Sequence, residues 1–480
     1  MFHSIELNKN CILVTFRETT ILHLYGICSI NVLYGKLILN GYQCGADNSP
    51  IDVSTSNVGP TIQMKSILSK TEKMNVSRIT KKLRELKFNN INFDQKTTEL
   101  LSHAKCAIVI QGYSIEDLNN KLNNWIFYAE FNSFLSHPTH PQVSNIDDIE
   151  GVELVGECCL FGMLEKVTHS FNIELMKLPN SWKNSIDNMM DIKPSDSKAT
   201  TSTTTTTVNA TFDNDDDNGT IRSLVCGAKG VGKSTLLRYS INRILKKHDT
   251  VAVIDCDVGQ PEFTVPGMVS LHLISSPVLH PNYANIKEPI LSHYVGDIST
   301  KSDPQAVVVA IDKLINRYRE CCSQKSKSIR QEYSNAASNN IFAALNKDDI
   351  DTIDTQSNIP LVVNTDGWIR YTGAEILSNI VKTLNPTHVL HISTLKDQNL
   401  PALSVVPSFC KIMKMEVGSA VSSKVSPGDL RNLRMISYYL RNNPIIPQLL
   451  KYCHDCKKKK HFLFYFYFYF YFYLFFFIGD

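Results

Sequence analysis

Nine consecutive residues carry the most specific chemistry of this 480-residue chain: Gly227, Ala228, Lys229, Gly230, Val231, Gly232, Lys233, Ser234 and Thr235. Gly227, Gly232, Lys233 and Ser234 fill every fixed position of G-x-x-x-x-G-K-S/T. Glycines at this spacing let successive backbone N–H groups point into one concavity. The N-terminus of a following helix adds partial positive charge, so a polyphosphate is neutralised without a bulky side chain. Lys233 is placed to bridge the β- and γ-phosphates of ATP and Ser234 to ligate Mg²⁺. The bland alternative, a Gly-rich turn, does not account for the lysine and hydroxyl that follow.

A second stretch, VAVIDCDVGQPEFTVPG at residues 251–267, is an apolar strand running into acids, which is where such a site holds its metal and organises the attacking group. Asp255 and Asp257 are two apart and face opposite sides if the strand continues. Asp257, nearer the Gly259–Gln260 turn, is the one expected to face the nucleotide; its competing role is to cap a loop.

These residues need an α/β frame. IRSLVC (221–226), VAVID (251–255), LSHYVGD (291–297), PLVVNT (360–365) and HVLHI (388–392) read as strands. TLLRYSINRILKK (235–247), PQAVVVAIDKLINRY (304–318) and AEILSNIVKTL (374–384) read as helices. Leu237, Ile241, Ile244 and Leu245 share one helix face, and Lys246 and Lys247 suit a last turn. Strands separated by helices predict a parallel sheet flanked by helices on both faces.

Upstream, CILVTF, ILHLYG and INVLYGKLILNGYQ, with Gly26, Gly35 and Gly41, predict short antiparallel strands, and AIVIQGY (107–113) and VELVGECCLFG (152–162) predict more. The expected organisation is a β-rich domain over 1–190, a low-complexity Thr- and Asp-rich linker over 191–220 and a P-loop domain over 221–450. A polar insertion at 322–358 interrupts that domain. Residues 451–480 form an anomalous tail of lysines and then Phe and Tyr. Its tract FLFYFYFYFYFYLFFFI at 462–478 is long enough to just span a bilayer, but its period of two favours no helix; it reads first as sequence outside the native fold (a gene-model error or read-through), with a membrane anchor as the alternative, so membrane association is not assigned.

Composition narrows the classes. The 43% apolar content supports real cores, and the net charge of +3 excludes nucleic-acid binding through overall charge, so any basic surface is local. Thirteen cysteines without a short-range framework, and a start without an apolar run behind basic residues, point to free thiols in the cytosol or nucleus. Cys453 and Cys456 lack the second pair that a zinc site requires. Asn346–Asp349 matches N-K-x-D, but D-x-x-G is missing, so guanine recognition is discounted.

In chain order, GAKGVGKST, DCDVGQPEFTVPGMVSL, HYVGDISTKSDP (293–304), NTDGWIRYTGAEIL (364–377) and SPGDLRNLRMISYYL (426–440) resemble the polynucleotide 5′-hydroxyl kinases of the pre-ribosomal RNA processing type. The kinase subunit of the tRNA-splicing and mRNA 3′-end machinery is a more distant likeness. The INVLYGKLILNGYQ stretch is similar to that family's β-rich first domain.

The resemblance implies transfer of the ATP γ-phosphate to the 5′-OH end of RNA or DNA, with ATP and Mg²⁺ as cofactors. It implies work in the nucleus and nucleolus, in pre-rRNA spacer processing, with an endoribonuclease partner that generates the end. Asp257 resembles the residue that accepts the hydroxyl proton, with Gln260 orienting the metal shell or the acceptor. Ser299 and Thr300 match a loop that clasps substrate phosphate; their simpler role is a turn. Trp368 is placed to stack on the terminal base, or else is a core tryptophan. Arg431 and Arg434 match a lid at 426–440 whose arginines reach the transferring phosphate; otherwise they are a solvated basic face. Asp366 departs from the pattern, standing where a small residue or proline is expected, where it would repel phosphates or help ligate metal. Two other readings stay open: a scaffold that binds ATP without transferring it, and a simple ATPase.

Overall fold

The computed structural model describes residues 2–55, 61–68, 76–88, 93–112, 152–155, 158–161, 178–191, 220–338, 359–394, 400–418 and 426–442. The Thr-rich segment, the N-K-x-D match, the Cys453–Cys456 pair and the Phe/Tyr tract lie outside them.

The first unit is a ten-stranded sheet. Its strands are β1 (Phe2–Asn8), β2 (Cys11–Phe16), β3 (Ile21–Tyr34), β4 (Lys36–Leu39), β5 (Tyr42–Gly45), β6 (Ile51–Ser54), β7 (Ile62–Ile67), β8 (Cys106–Gly112), β9 (Val152–Val155) and β10 (Cys158–Phe161). All of its pairings are antiparallel, as expected. Gly26 does not end a strand: β3 runs through it at φ +111°, pairing with β7 and β10 before the kink and mainly with β6 and β8 after it. Alternation sorts β2 cleanly. Ile12, Val14 and Phe16 join the core enclosed by the curled sheet, whereas Cys11 and Leu13 face α1 (Val76–Glu85) and α2 (Gln95–Ser102).

The second unit is a seven-stranded sheet in the order β14-β13-β12-β15-β11-β16-β17. Its members are β11 (Arg222–Gly227), β12 (Val251–Asp255), β13 (Met268–Ile274), β14 (Leu291–Tyr294), β15 (Leu361–Asn364), β16 (His388–Ile392) and β17 (Lys411–Met415). β12, β15, β11, β16 and β17 are parallel, but β13 and β14 are antiparallel. The expected all-parallel sheet is thus mixed at one edge. The reason is local: no α-helix separates β12 from β13, only a three-residue 3-10 turn at Asn282–Ala284 lies between β13 and β14, and a parallel return needs a longer crossover.

Helices cover both faces, with period-two sorting of the strands. Leu224, Ile254, Val363 and Val389 pack under α5 (Pro304–Ser338) and α6 (Thr372–Leu384). Val225, Val253, Val362 and Leu390 pack under α3 (Asn180–Met190) and α4 (Lys233–Ile244). Both strand faces being apolar is the pattern of a sheet buried on both sides. Three boundaries differ from expectation. α4 ends at Ile244, leaving Lys246 and Lys247 in the turn beyond it. α5 continues to Ser338, into the segment expected as an insertion. α3, within the stretch assigned to the first domain, packs Trp182, Ile186 and Met189 into the core of the second.

The two sheets are docked. Leu279, from the β13–β14 connection, is buried in the first unit's core, and Ser54 N donates to Leu279 O at 3.2 Å. Asn242 of α4 donates to Asn40 O and Val278 O, each at 3.1 Å. A seventh helix, α7 (Pro427–Asn442), sets Leu433 against Tyr283. Among the described residues no helix is long and apolar enough to cross a membrane.

Candidate active site

Parallel topology brings the carboxyl ends of β11, β12 and β15 to one edge, where ligands of open α/β sheets bind. The turn from β11 to α4 requires backbone freedom: Gly227, Gly230 and Gly232 have φ of +150°, +80° and +103°. A Cβ on Gly227 would lie 2.5 Å from Ile392 O. Trp182, fully buried, supports this turn from below; its ring lies against Gly232 and Gly418, and its Nε1 donates to Glu416 O at 2.8 Å. Lys233 is 7% exposed and its Nζ donates to Ala228 O at 2.9 Å. Burial pushes its pKa below the usual lysine value, and the carboxylates of Asp257 and Asp366 oppose that push. Ser234, at the start of α4, is part-buried.

β12 stops at Asp255, so Asp257 is a loop residue and the argument from strand alternation does not apply to it. Asp255 is completely buried. Its Oδ1 accepts from Asn364 Nδ2 at 2.9 Å and Asp257 N at 3.2 Å, and its Oδ2 accepts from Glu262 N at 2.5 Å. Burial raises its pKa to about 7. It is a clamp inside the sheet edge. Asp257 does take up the capping role, its Oδ1 accepting from Gly259 N at 3.1 Å and Gln260 N at 2.9 Å. Its charge also acts on Lys233.

Four loops meet through three close approaches. Gly259, in the Asp257 loop, would place a Cβ 3.0 Å from Ile298 O. Thr300, two residues on, donates its hydroxyl to Asp366 Oδ2 at 2.7 Å. Gly367 lies against the phosphate loop, where a Cβ would come within 2.7 Å of Lys229 N and Cα. Trp368 is half-buried against the core and Gly373, with Lys301 Nζ 5.2 Å from its ring centroid. Ser299 is part-exposed, its Oγ accepting from Lys301 N at 3.3 Å. Gln260 is part-exposed beside Asp257.

The two arginines of α7 part company. Arg434 is 2% exposed and donates Nη1 to Thr264 O at 3.1 Å. It is turned into the protein rather than outward as a lid arginine, because α7 packs its Leu430–Leu433 side on the turn at Asn282–Ala284. Arg431 remains part-exposed.

Sequence reading missed how heavily this edge is braced. Glu262, 2% exposed, accepts from Arg238 Nε and Nη2 of α4 at 2.8 and 3.0 Å and from Asn285 at 2.6 Å. The signal was a glutamate inside the apolar-flanked QPEFT, a position that is buried only when paired. Lys301 over Trp368, and Trp182 beneath Gly232, carried no short-range sequence signal.

Two family models match the chain. One, described as the P-loop of the mRNA cleavage and polyadenylation factor CLP1, matches residues 227–332 and 335–440. The other, the N-terminal domain of polynucleotide 5′-hydroxyl-kinase NOL9, matches residues 2–145. Among curated proteins, polynucleotide 5′-hydroxyl-kinase nol9 of Dictyostelium discoideum is 23% identical over 393 residues, covering 81% of this chain and 47% of its own length. The grc3 kinase of Schizosaccharomyces pombe is 35% identical over 174 residues, covering 36% and 20%. NOL9 of Arabidopsis thaliana is 32% identical over 185 residues, covering 38% and 42%. The chain thus spans less than half the length of each. A solved Clp1p–Pcf11p complex contains a chain that aligns with 88% of this one and 73% of its own length, at 12% identity and a TM-score of 0.43. With one model over the first sheet and the other over the second, the chain joins a domain of the NOL9 N-terminal type to a P-loop domain of the CLP1 type, and its curated relatives are polynucleotide 5′-hydroxyl kinases.

Proposed function

We propose that this chain transfers the γ-phosphate of ATP to the 5′-hydroxyl end of a polynucleotide, RNA first and DNA as a second possibility. The observation that carries this is the packing of Gly367 on Lys229, which sets the Trp368 turn directly beside the phosphate loop. The exposed part of this half-buried tryptophan, with Lys301 over its ring, suits an enzyme acting on a nucleic-acid end better than a hydrolase.

The residues fit ATP and Mg²⁺. The three glycines with positive φ form a cradle for phosphate oxygens, and Lys233, held on Ala228 O, exchanges that partner for the β- and γ-phosphates. Among the described residues no group of three or more His, Cys, Asp or Glu could hold a metal alone. Mg²⁺ is therefore assigned to Ser234, Asp257 and phosphate oxygens together, as is usual for this ion. When bound, it neutralises charge on the transferring group. Asp257 takes the proton of the attacking hydroxyl, Gln260 orients the acceptor, and the 297–302 loop, with Ser299 and Thr300, borders the acceptor's path. Arg431 faces the phosphate being transferred. The work we infer for it is nucleolar pre-rRNA processing beside an endoribonuclease that produces the 5′-OH end, a reading that the likeness to the NOL9 and GRC3 kinases supports.

The test is transfer of label from γ-labelled ATP to a 5′-OH oligonucleotide. Lys233→Ala and Asp257→Asn should each abolish labelling while the fold persists. A second reading, an ATP-binding scaffold, is favoured by one observation: Arg434 is buried with its Nη1 on Thr264 O, which counts against its acting as a lid arginine. A scaffold would bind ATP and label nothing.

A further inference from the structure

Asp366 stands where a small residue or proline was expected, and the structure gives that carboxylate two partners on two different loops. Its Oδ2 accepts from Thr300 Oγ1 at 2.7 Å, and its Oδ1 accepts from Trp368 N at 2.9 Å. Thr300 is 3% exposed, so its hydroxyl is a buried donor that needs an acceptor. The residue after Thr300, Lys301, lies over the Trp368 ring. The residue after Asp366, Gly367, lies on the backbone of Lys229. Asp366 is therefore the joint at which the β14–α5 loop, the tryptophan turn and the phosphate loop are fastened together.

We propose that Asp366 is a positioning residue: it latches the 297–302 loop to the Trp368 turn, and through Gly367 holds both in register with the phosphate loop. A small residue or proline would leave the Thr300 hydroxyl and the Trp368 N–H without this shared acceptor. A carboxylate makes stronger bonds than a neutral acceptor, which suits a joint between loops with no regular structure. Both of its oxygens are engaged with protein donors, which favours bracing over metal binding. The effect falls on the acceptor side, because Thr300, Lys301 and Trp368 border the acceptor, whereas Lys233 and the glycine cradle belong to β11 and α4. The consequence for catalysis rests on the kinase reading above; the latch itself does not.

The experiment compares Asp366→Ala, Asp366→Asn and Thr300→Val in the full chain. Hydrogen exchange is measured over residues 297–302 and 366–371, ATP affinity by direct titration, and KM and kcat with a 5′-OH oligonucleotide. Asp366→Ala and Thr300→Val should each speed exchange in both segments and raise the oligonucleotide KM about five- to tenfold, the loss of roughly one hydrogen bond. Thr300→Val, which leaves the carboxylate beside Lys233 in place, should keep ATP affinity within about twofold, and the double variant should be no worse than Asp366→Ala. Asp366→Asn should fall between wild type and Asp366→Ala, because its amide oxygen still accepts from Trp368 N, while its Nδ2 can only donate to Thr300 Oγ1 and leaves the Thr300 proton without this acceptor. The proposal falls if Asp366→Ala leaves exchange in 297–302 unchanged. It also falls if Asp366→Asn is as damaging as Asp366→Ala, which would assign the role to charge. Should Asp366→Ala fail to fold, Thr300→Val tests the same bond from the other side. Should the wild type label no oligonucleotide, the kinase reading fails, while exchange still decides the latch.

Discussion

Gly367 and Lys229 approach so closely that a single methyl group on the glycine would lie 2.7 Å from the lysine's backbone N and Cα. Both sides of this contact are backbone, so neither can swing away. Gly367→Ala should force the tryptophan turn off the phosphate loop, weakening ATP binding and oligonucleotide binding together. Gly230 makes a contrast within the cradle itself, since a Cβ there meets nothing within 4 Å, only its φ of +80° is unfavourable, and any loss should fall on ATP rather than on the oligonucleotide. Gly230→Ala should cost about 1 kcal/mol of stability. Parallel titrations of ATP and oligonucleotide on both variants distinguish the two mechanisms, and equal small effects would refute the packing argument.

Arg431 and Arg434 should separate cleanly. Arg434→Met leaves Thr264 O without its buried donor, and a midpoint loss corresponding to about 1–3 kcal/mol is expected in denaturant unfolding. Arg431→Ala should leave that midpoint nearly unchanged and lower kcat, about tenfold or more if it faces the transferring phosphate. A stable Arg434 variant with lost kcat would instead return Arg434 to the lid role.

The pH dependence of stability follows from opposed groups. Burial lowers the pKa of His272, His280 and His388 to about 4 each. Groups with depressed folded values contribute stability above their unfolded value, near 6.5, and lose it as pH falls towards 4. Asp255, raised to about 7, acts in the opposite sense: its contribution is present at acid pH and is lost as pH rises through that value. Asp366, which burial also raises, acts with Asp255; between about pH 4 and 6.5 the three histidines outweigh these two carboxyls, so the unfolded chain binds more protons and stability should rise with pH. Urea unfolding at pH 5 and pH 7 measures this, and a higher midpoint at pH 5 would contradict it. Asp255→Asn should steepen the rise, because it removes one of the opposing groups.

Tyr371 is a place where the chain is strained. It is 84% exposed with φ +53° and ψ −131°, a conformation suited to glycine, at the entry to α6. Its ring buries little, so Tyr371→Gly should stabilise the protein by about 1 kcal/mol despite deleting a large side chain. A thermal melt checks the sign. If the melting temperature falls, the ring makes contacts that outweigh the strain.

How much could be read in advance depended on the range of the interactions. The phosphate loop was legible because its chemistry is contiguous: glycines, lysine and hydroxyl act through backbone geometry within nine residues. The interior strands were legible because burial on both faces writes them as unbroken apolar runs, such as VAVID and HVLHI. Strands β13 and β17 were not read: MVSLHLI follows its neighbour without a helix, and KIMKM, at the sheet edge, is mostly solvent-facing. Other features joined residues far apart in the chain. Trp182 reaches Glu416, Arg434 reaches Thr264, and Thr300 reaches Asp366. Spacing placed Arg431 and Arg434 on one helix, but only packing against Tyr283 decided which of them turns inward. Local composition determined that a triphosphate can be cradled here, since that needs only one turn of backbone. What stands opposite the cradle was decided by the folded chain, because a loop is positioned by the partners that satisfy its buried donors and by the neighbours that leave room for nothing larger than glycine.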